Sequence, residues 1–211
     1  MPSSLFDRRR VLLVPLAASL APLGGRRGRA APSAEAAQSL IEQVSTQVLA
    51  ILSDQGLSNR QKCDDLVELL SQPIDLDLVA RLILGRHWRT ATDAQRDAYL
   101  ELFREYALAN LASKLHLYQG QSFEVTDAKV VSEQDAVVTS RILTPGEAPL
   151  QVDWRLRARD DGSLVVIDLI VAGVSLIVTL RSEFAAVIER QGFDGLLAEL
   201  RQRITQTRQQ A

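Results

Sequence analysis

The chain has 211 residues, 46% of them hydrophobic and 24% charged, with a formal net charge of −2. That composition is average for a globular domain and excludes disordered and fibrous classes; the length makes one domain, or one with a helical annex. A single cysteine, Cys63, and two histidines exclude an internal disulfide scaffold and a zinc domain. No run reaches the ~18 consecutive apolar residues of a membrane span.

Residues 1–30 read as an address. Arg8, Arg9 and Arg10 form a positive n-region. Val11 to Leu23 is apolar, interrupted by Pro15 and Pro22, and too short to span. Gly28-Arg29-Ala30 puts small residues at −3 and −1 of a cleavage site after Ala30, the pattern of a secretory signal peptide. The arginine cluster suits twin-arginine export as well as the general route. The remaining 31–211, expected as a single domain in the periplasm, carries 18 basic and 25 acidic residues, a net charge of −7. Such a surface repels phosphate backbones, so nucleic acid is not an expected partner. Cys63 reads as a small buried hydrophobe.

Helical periodicity comes first, over 36–119. Leu40, Ile41, Val44, Val48, Ile51 and Leu52 recur at helical spacing, up to Gly56. Ser58 with Gln61, and Thr92 with Gln95, form capping boxes. Between them, Asp75 caps a helix with Leu78, Val79, Leu82 and Ile83, stopped by Gly85. The helix after Thr92 has Tyr99, Leu102, Phe103, Tyr106, Asn110, Leu111 and Leu115 as its stripe. Over 121–172 the period becomes two, predicting strands at Phe123 to Val131, Ala136 to Leu143 and Val152 to Arg159. The last alternates Val, Trp, Leu, Ala against Asp, Arg, Arg, Arg. Asp160-Asp161-Gly162 is a hairpin turn. Leu164 to Val171 is apolar on both faces, which predicts a central strand. Helices follow over 181–207, Arg181 to Arg190 and Gly195 to Gln206, divided at Gly192. The order is α+β: a helical half, an antiparallel meander and returning helices.

Catalytic chemistry is scarce. There is no GxSxG, HExxH or glycine-rich phosphate loop. Ser175 lacks the spacing of a nucleophile elbow. Asp153 and Asp168 lie on separate strands, where an acid–base couple or ion pairs with arginine are both open; His87 is a base or a helix-end residue. Arg155, Arg157 and Arg159 form a solvated face or a docking patch. No catalytic residue, metal or cofactor is expected. What is abundant is apolar surface: Trp154, Leu156, Ile167, Leu169, Val171, Val174, Leu176 and Ile177 on or after the sheet, and Tyr99, Phe103, Tyr106 and Tyr118 from the helical half. An ordinary core or a ligand cavity would both use it.

Ala80-Arg81-Leu82-Ile83-Leu84-Gly85-Arg86-His87-Trp88-Arg89, Thr92-x-x-Gln95-Arg96, Gly173-Val174-Ser175-Leu176, Arg181-Ser182-x-Phe184 and Gly192-Phe193-Asp194-Gly195-Leu196-Leu197 stand in this order along the chain. Together they resemble the MlaC family of periplasmic phospholipid-binding proteins, also called toluene-tolerance auxiliary proteins, from about Ala36 to Arg203. The resemblance implies a nuclear-transport-factor-two-like twisted sheet with a helical half enclosing an apolar pocket. It implies a monomeric carrier that takes phospholipid between an outer-membrane MlaA-type complex and an inner-membrane MlaFEDB-type transporter, maintaining outer-membrane lipid asymmetry. A sister branch resembles carriers associated with hopanoid biosynthesis, so a polycyclic lipid is an alternative guest; an enzyme of the same fold using Asp153, Asp168 or His87 is another reading. His87, Ala172 and Thr179-Leu180 depart from the family's usual Tyr, Glu and Asn-Tyr. On this reading Trp88, Tyr99, Phe103, Tyr106, Tyr118, Trp154, Leu156, Ile167, Leu169, Val171, Val174, Leu176 and Ile177 contact lipid.

The physics of such a task is simple. A two-tailed lipid carries roughly 30 methylenes, each worth about 0.8 kcal/mol when hidden from water. Crossing water unaided then costs on the order of 20 kcal/mol, and a dry apolar pocket removes that barrier without any catalytic group.

Overall fold

The structure, a computed structural model, describes residues 31–210. The signal peptide expected over 1–30 lies outside the described residues. Ser33 caps α1 (Ala34–Ser53) by accepting from Ala36 N. The Ser58–Gln61 capping box opens α2 (Asn59–Ser71), and Asp75 caps α3 (Leu76–Leu84) through Leu78 N. A short α4 (Arg86–Thr90) and the Thr92–Gln95 box lead into α5 (Asp93–Lys114), which tightens into a 3₁₀ turn at Leu115–Leu117.

Five antiparallel strands follow in spatial order β1-β2-β3-β4-β5: β1 (Ser122–Val130), β2 (Asp135–Leu143), β3 (Leu150–Ala158), β4 (Leu164–Val171) and β5 (Val174–Ser175). α6 (Leu176–Gln210) closes the chain. It breaks at Gly192, whose φ of 73° and ψ of 178° only glycine adopts readily. The break falls where the sequence places it, but the helix begins at Leu176, five residues before the expected Arg181. Ser175 is the reason: its hydroxyl accepts from Val178 N as an N-cap.

β4 is not the central strand that its apolar faces predict. Beyond it lie only the two residues of β5 and a parallel bridge from Ile74 to Val166, with Val166 N donating to Pro73 O at 2.7 Å. The segment before α3, rather than a full strand, closes off its outer side. Cys63, expected to be buried, is half-buried on α2; burial pushes its thiol up, and Asp64 adds to that.

Apolar side chains gather into two clusters. One fills the helical layer between α3, α5 and α6, centred on Tyr99, Phe103, Phe184, Leu196 and Leu200. The other lies between α1 and one face of the sheet, with Ile41 and Ala37 on Ala136, Val138, Leu156 and Val166. Alternation along β2 and β3 supplies this second face, and α1 covers it. No described helix is long and apolar enough to cross a membrane.

Candidate functional site

The two clusters do not merge. At their seam is a cavity of about 280 Å³. The helical cluster contributes Leu76, Val79, Ile83, Phe103 and Tyr106, with Ala107 and Asn110 from the same face of α5. Opposite stand Ile74 and the β4 stretch Val166 to Leu169, and the first turns of α6 close the end with Leu176, Ile177 and Leu180. α3 and α5 present these residues because their apolar stripes repeat every three to four positions. On β4 an extra residue, Ile167, bulges between the Arg155–Asp168 and Leu156–Val166 pairs, so consecutive β4 residues reach the wall.

The wall is almost all hydrocarbon. Its polar members are few: Asn110, whose Nδ2 donates to Tyr106 O at 2.8 Å, the Tyr106 hydroxyl, and Asp168. Asp168 accepts from Ser175 Oγ at 2.5 Å and from Ile177 N at 3.0 Å. Among the described residues, no lysine or arginine lines the cavity. Leu176 is half in solvent, at 49% exposure, and marks the opening. Beside it Val171, Val174 and Val178 are also exposed. At close to 300 Å³, the space is at the lower end of ligand-binding cavities and has the apolar wall with few polar points that such sites share.

A wider depression of about 540 Å³ lies by the β3–β4 turn, among Arg157, Arg159, Asp160 and Asp161. Its arginines are engaged elsewhere, Arg157 with Asp135 and Arg159 with Asp75. Being open and charged, it cannot hide hydrocarbon from water.

Of the residues expected at a lipid site, Phe103, Tyr106, Ile167, Leu169, Leu176 and Ile177 stand on the cavity wall. The others are placed elsewhere. Trp154 and Leu156 were expected to face the cavity, since alternation puts them opposite Asp153 and Arg155. Instead they belong to the cluster under α1. Leu156 is fully buried there, and Trp154 packs edge-on against Phe123 and donates its indole N–H to Ser140 Oγ at 2.8 Å. Alternation sorts a strand's residues between faces but does not say which helix covers each face. Tyr99 is buried in the helical cluster, its hydroxyl donating to Ala80 O and its pKa pushed up by burial. Trp88 packs at that cluster's edge with the Arg81 and Arg96 guanidinium groups over its ring. Tyr118 follows the 3₁₀ turn, half-buried. Val171 is exposed, and Val174, expected on the pocket wall, is 62% exposed in the β4–β5 hairpin.

The acid–base alternative finds no common site. Asp153 faces Ile170 and accepts from the Gln151 amide; Asp168 faces Arg155, which turns instead to Asp135. His87 lies in α4, accepting from Arg86 Nε. Sequence reasoning passed over Ile74, Leu76, Ala107 and Leu180 as wall residues. A polar Asn110 within an apolar stripe was the available signal that α5 faces something other than a closed core.

An α+β fold of this kind has solved counterparts. The fold matches that of a phospholipid-binding protein from Ralstonia solanacearum, solved in complex with a phospholipid, with a TM-score of 0.71 and 27% identity over 81% of this chain and 98% of that one. The intermembrane phospholipid transport system binding protein MlaC of Haemophilus influenzae is 23% identical over 137 residues, 63% of this chain and 64% of that relative's length. The family model described as MlaC protein matches residues 42–202. The chain belongs to the MlaC protein family.

Proposed function

We propose that this chain is a periplasmic carrier that binds phospholipid acyl chains in the seam cavity and takes the lipid between an outer-membrane MlaA-type complex and an inner-membrane MlaFEDB-type transporter, so maintaining outer-membrane lipid asymmetry. The observation that carries this reading is a hydrocarbon-walled cavity left between two separate apolar clusters. A chain that needed only a core would bring those clusters together, because closing an apolar void is favourable. The names of its relatives support the same reading. Phe103, Tyr106, Ile167, Leu169, Leu176 and Ile177 are the proposed tail contacts, joined by Ile74, Val79 and Leu180. Their rings and branched chains replace the contacts that tails lose on leaving a bilayer. A passive cavity only equilibrates its guest, so direction comes from the partner complexes.

The test is native mass spectrometry of purified protein, followed by solvent extraction of any bound molecule. A diacyl phospholipid in stoichiometric amount is the expected result. A polycyclic lipid would move the guest to the hopanoid class. A chain with no bound lipid, which also takes none from vesicles, would overturn the reading.

A further inference from the structure

Few hydrogen bonds join the end wall of the cavity to the sheet, although Ile177 and Leu180 are buried in the helical cluster and Arg181 donates to Leu82 O at 3.1 and 2.6 Å. α6 follows β4 after a two-residue turn and the two-residue strand β5, and only the pairs Ile170–Ser175 and Val171–Val174 join β5 to β4. Yet the first turns of α6 carry Leu176, Ile177 and Leu180. The other tie is Asp168. Its carboxylate accepts from the Ser175 hydroxyl at 2.5 Å and from Ile177 N at 3.0 Å. The same hydroxyl accepts from Val178 N at 3.1 Å, and the Ser175 carbonyl accepts from Thr179 Oγ1 at 2.9 Å. One carboxylate thus orients the serine cap and binds a free N–H at the start of the helix, where negative charge is favoured. Arg155, opposite Asp168 in the ladder, gives Nε and Nη2 to Asp135, so Asp168 is left to α6.

We propose that Asp168 is a positioning residue for lipid retention, fixing the first turn of α6 against β4 so that Leu176, Ile177 and Leu180 stay closed over the acyl chains. This rests on the lipid reading above. Without the carboxylate, Ile177 N and the Ser175 hydroxyl lose their partner and the end wall is tied to β4 by two residue pairs alone. The guest then escapes faster although the two clusters remain folded.

Wild-type, Asp168→Ala, Ser175→Ala and Ser58→Ala proteins are loaded with a phosphatidylcholine bearing a pyrene-labelled acyl chain. Transfer to vesicles of unlabelled phosphatidylcholine is followed with time, and thermal melting is recorded on the same samples. Asp168→Ala should release lipid about tenfold faster, the factor expected for losing charge-assisted hydrogen bonds, and Ser175→Ala should release it faster than wild type. Ser58→Ala, which removes the cap of α2, a helix with no residue on the cavity wall, should melt lower yet release lipid at the wild-type rate. The proposal is overturned by wild-type release from Asp168→Ala, or by an equal acceleration in Ser58→Ala. If Asp168→Ala does not fold, Ser175→Ala decides: wild-type release from it overturns the proposal. A wild-type protein that takes up no labelled lipid overturns the lipid reading and this proposal together. Uptake with unchanged variants overturns this proposal alone.

Discussion

Asp135 is the most heavily engaged carboxylate on the sheet. It is only 3% exposed and accepts from both Arg157 and Arg155. The hydrogen bonds from Arg157, then those from Arg155, hold its carboxyl below the usual range. A lowered folded pKa stabilises the fold above the unfolded value of about 3.9, and that contribution is lost as pH falls through the folded value. Acid denaturation of wild type should therefore steepen below about pH 4, and Asp135→Asn should flatten that loss. At pH 7 the variant should be less stable by roughly 1–3 kcal/mol, the arginines being partly in water. Two aliphatic residues three apart make a sharper contrast. Val174→Glu places a carboxylate in solvent and should change stability by no more than about 0.5 kcal/mol. Ile177→Glu places one in the apolar seam, where it costs several kcal/mol or stays protonated. Melting and lipid content measured together should show Val174→Glu unchanged on both and Ile177→Glu depleted of lipid.

Among the elements, the β4–β5 hairpin carries visible strain. Its two turn residues are Ala172, at φ 48°, and Gly173, at φ 83°. Two positive φ values suit a two-residue hairpin, but alanine has no way to ease the crowding, whereas asparagine in that region does. Ala172→Asn should therefore raise stability by about 0.5–1 kcal/mol, read as a higher midpoint in urea with unchanged slope. The helix starts at Ser58, Asp75 and Thr92 were legible in the sequence because capping is local chemistry, a side chain meeting a backbone three residues on. The strands of the meander were legible for the same reason. What was not legible is which helix covers which face. Trp154 and Leu156 alternate faultlessly, yet that pattern is identical whether α1 or a ligand covers them. Val174 was misplaced because a two-residue strand is too short to show a period at all. Leu176 to Leu180 lay before the expected helix start at Arg181, because the Ser175 cap has no Glu or Gln three residues on to complete a capping box.

At the scale of the whole molecule, the two clusters meet only around a cavity, and neither tryptophan stands on its wall. Trp154 lies under α1 and Trp88 beneath two guanidinium groups. Removing lipid should leave intrinsic tryptophan emission nearly unchanged, whereas Phe103→Trp should shift on delipidation; a large shift in the unsubstituted chain would place the guest elsewhere. Apart from the Asp168 tie, the contacts that join the sheet to the helical layer are distant in sequence. Arg159 meets Asp75 across 84 positions, and Val166 reaches back to Pro73. The hairpins of the sheet, by contrast, close short loops. Loop-closure entropy makes the hairpins early and the seam late in folding. The chamber is therefore among the last things this chain builds, and a tail present at that moment is enclosed rather than threaded in. Refolding from urea with a short-chain phosphatidylcholine present should load the protein faster than soaking the folded protein in the same lipid.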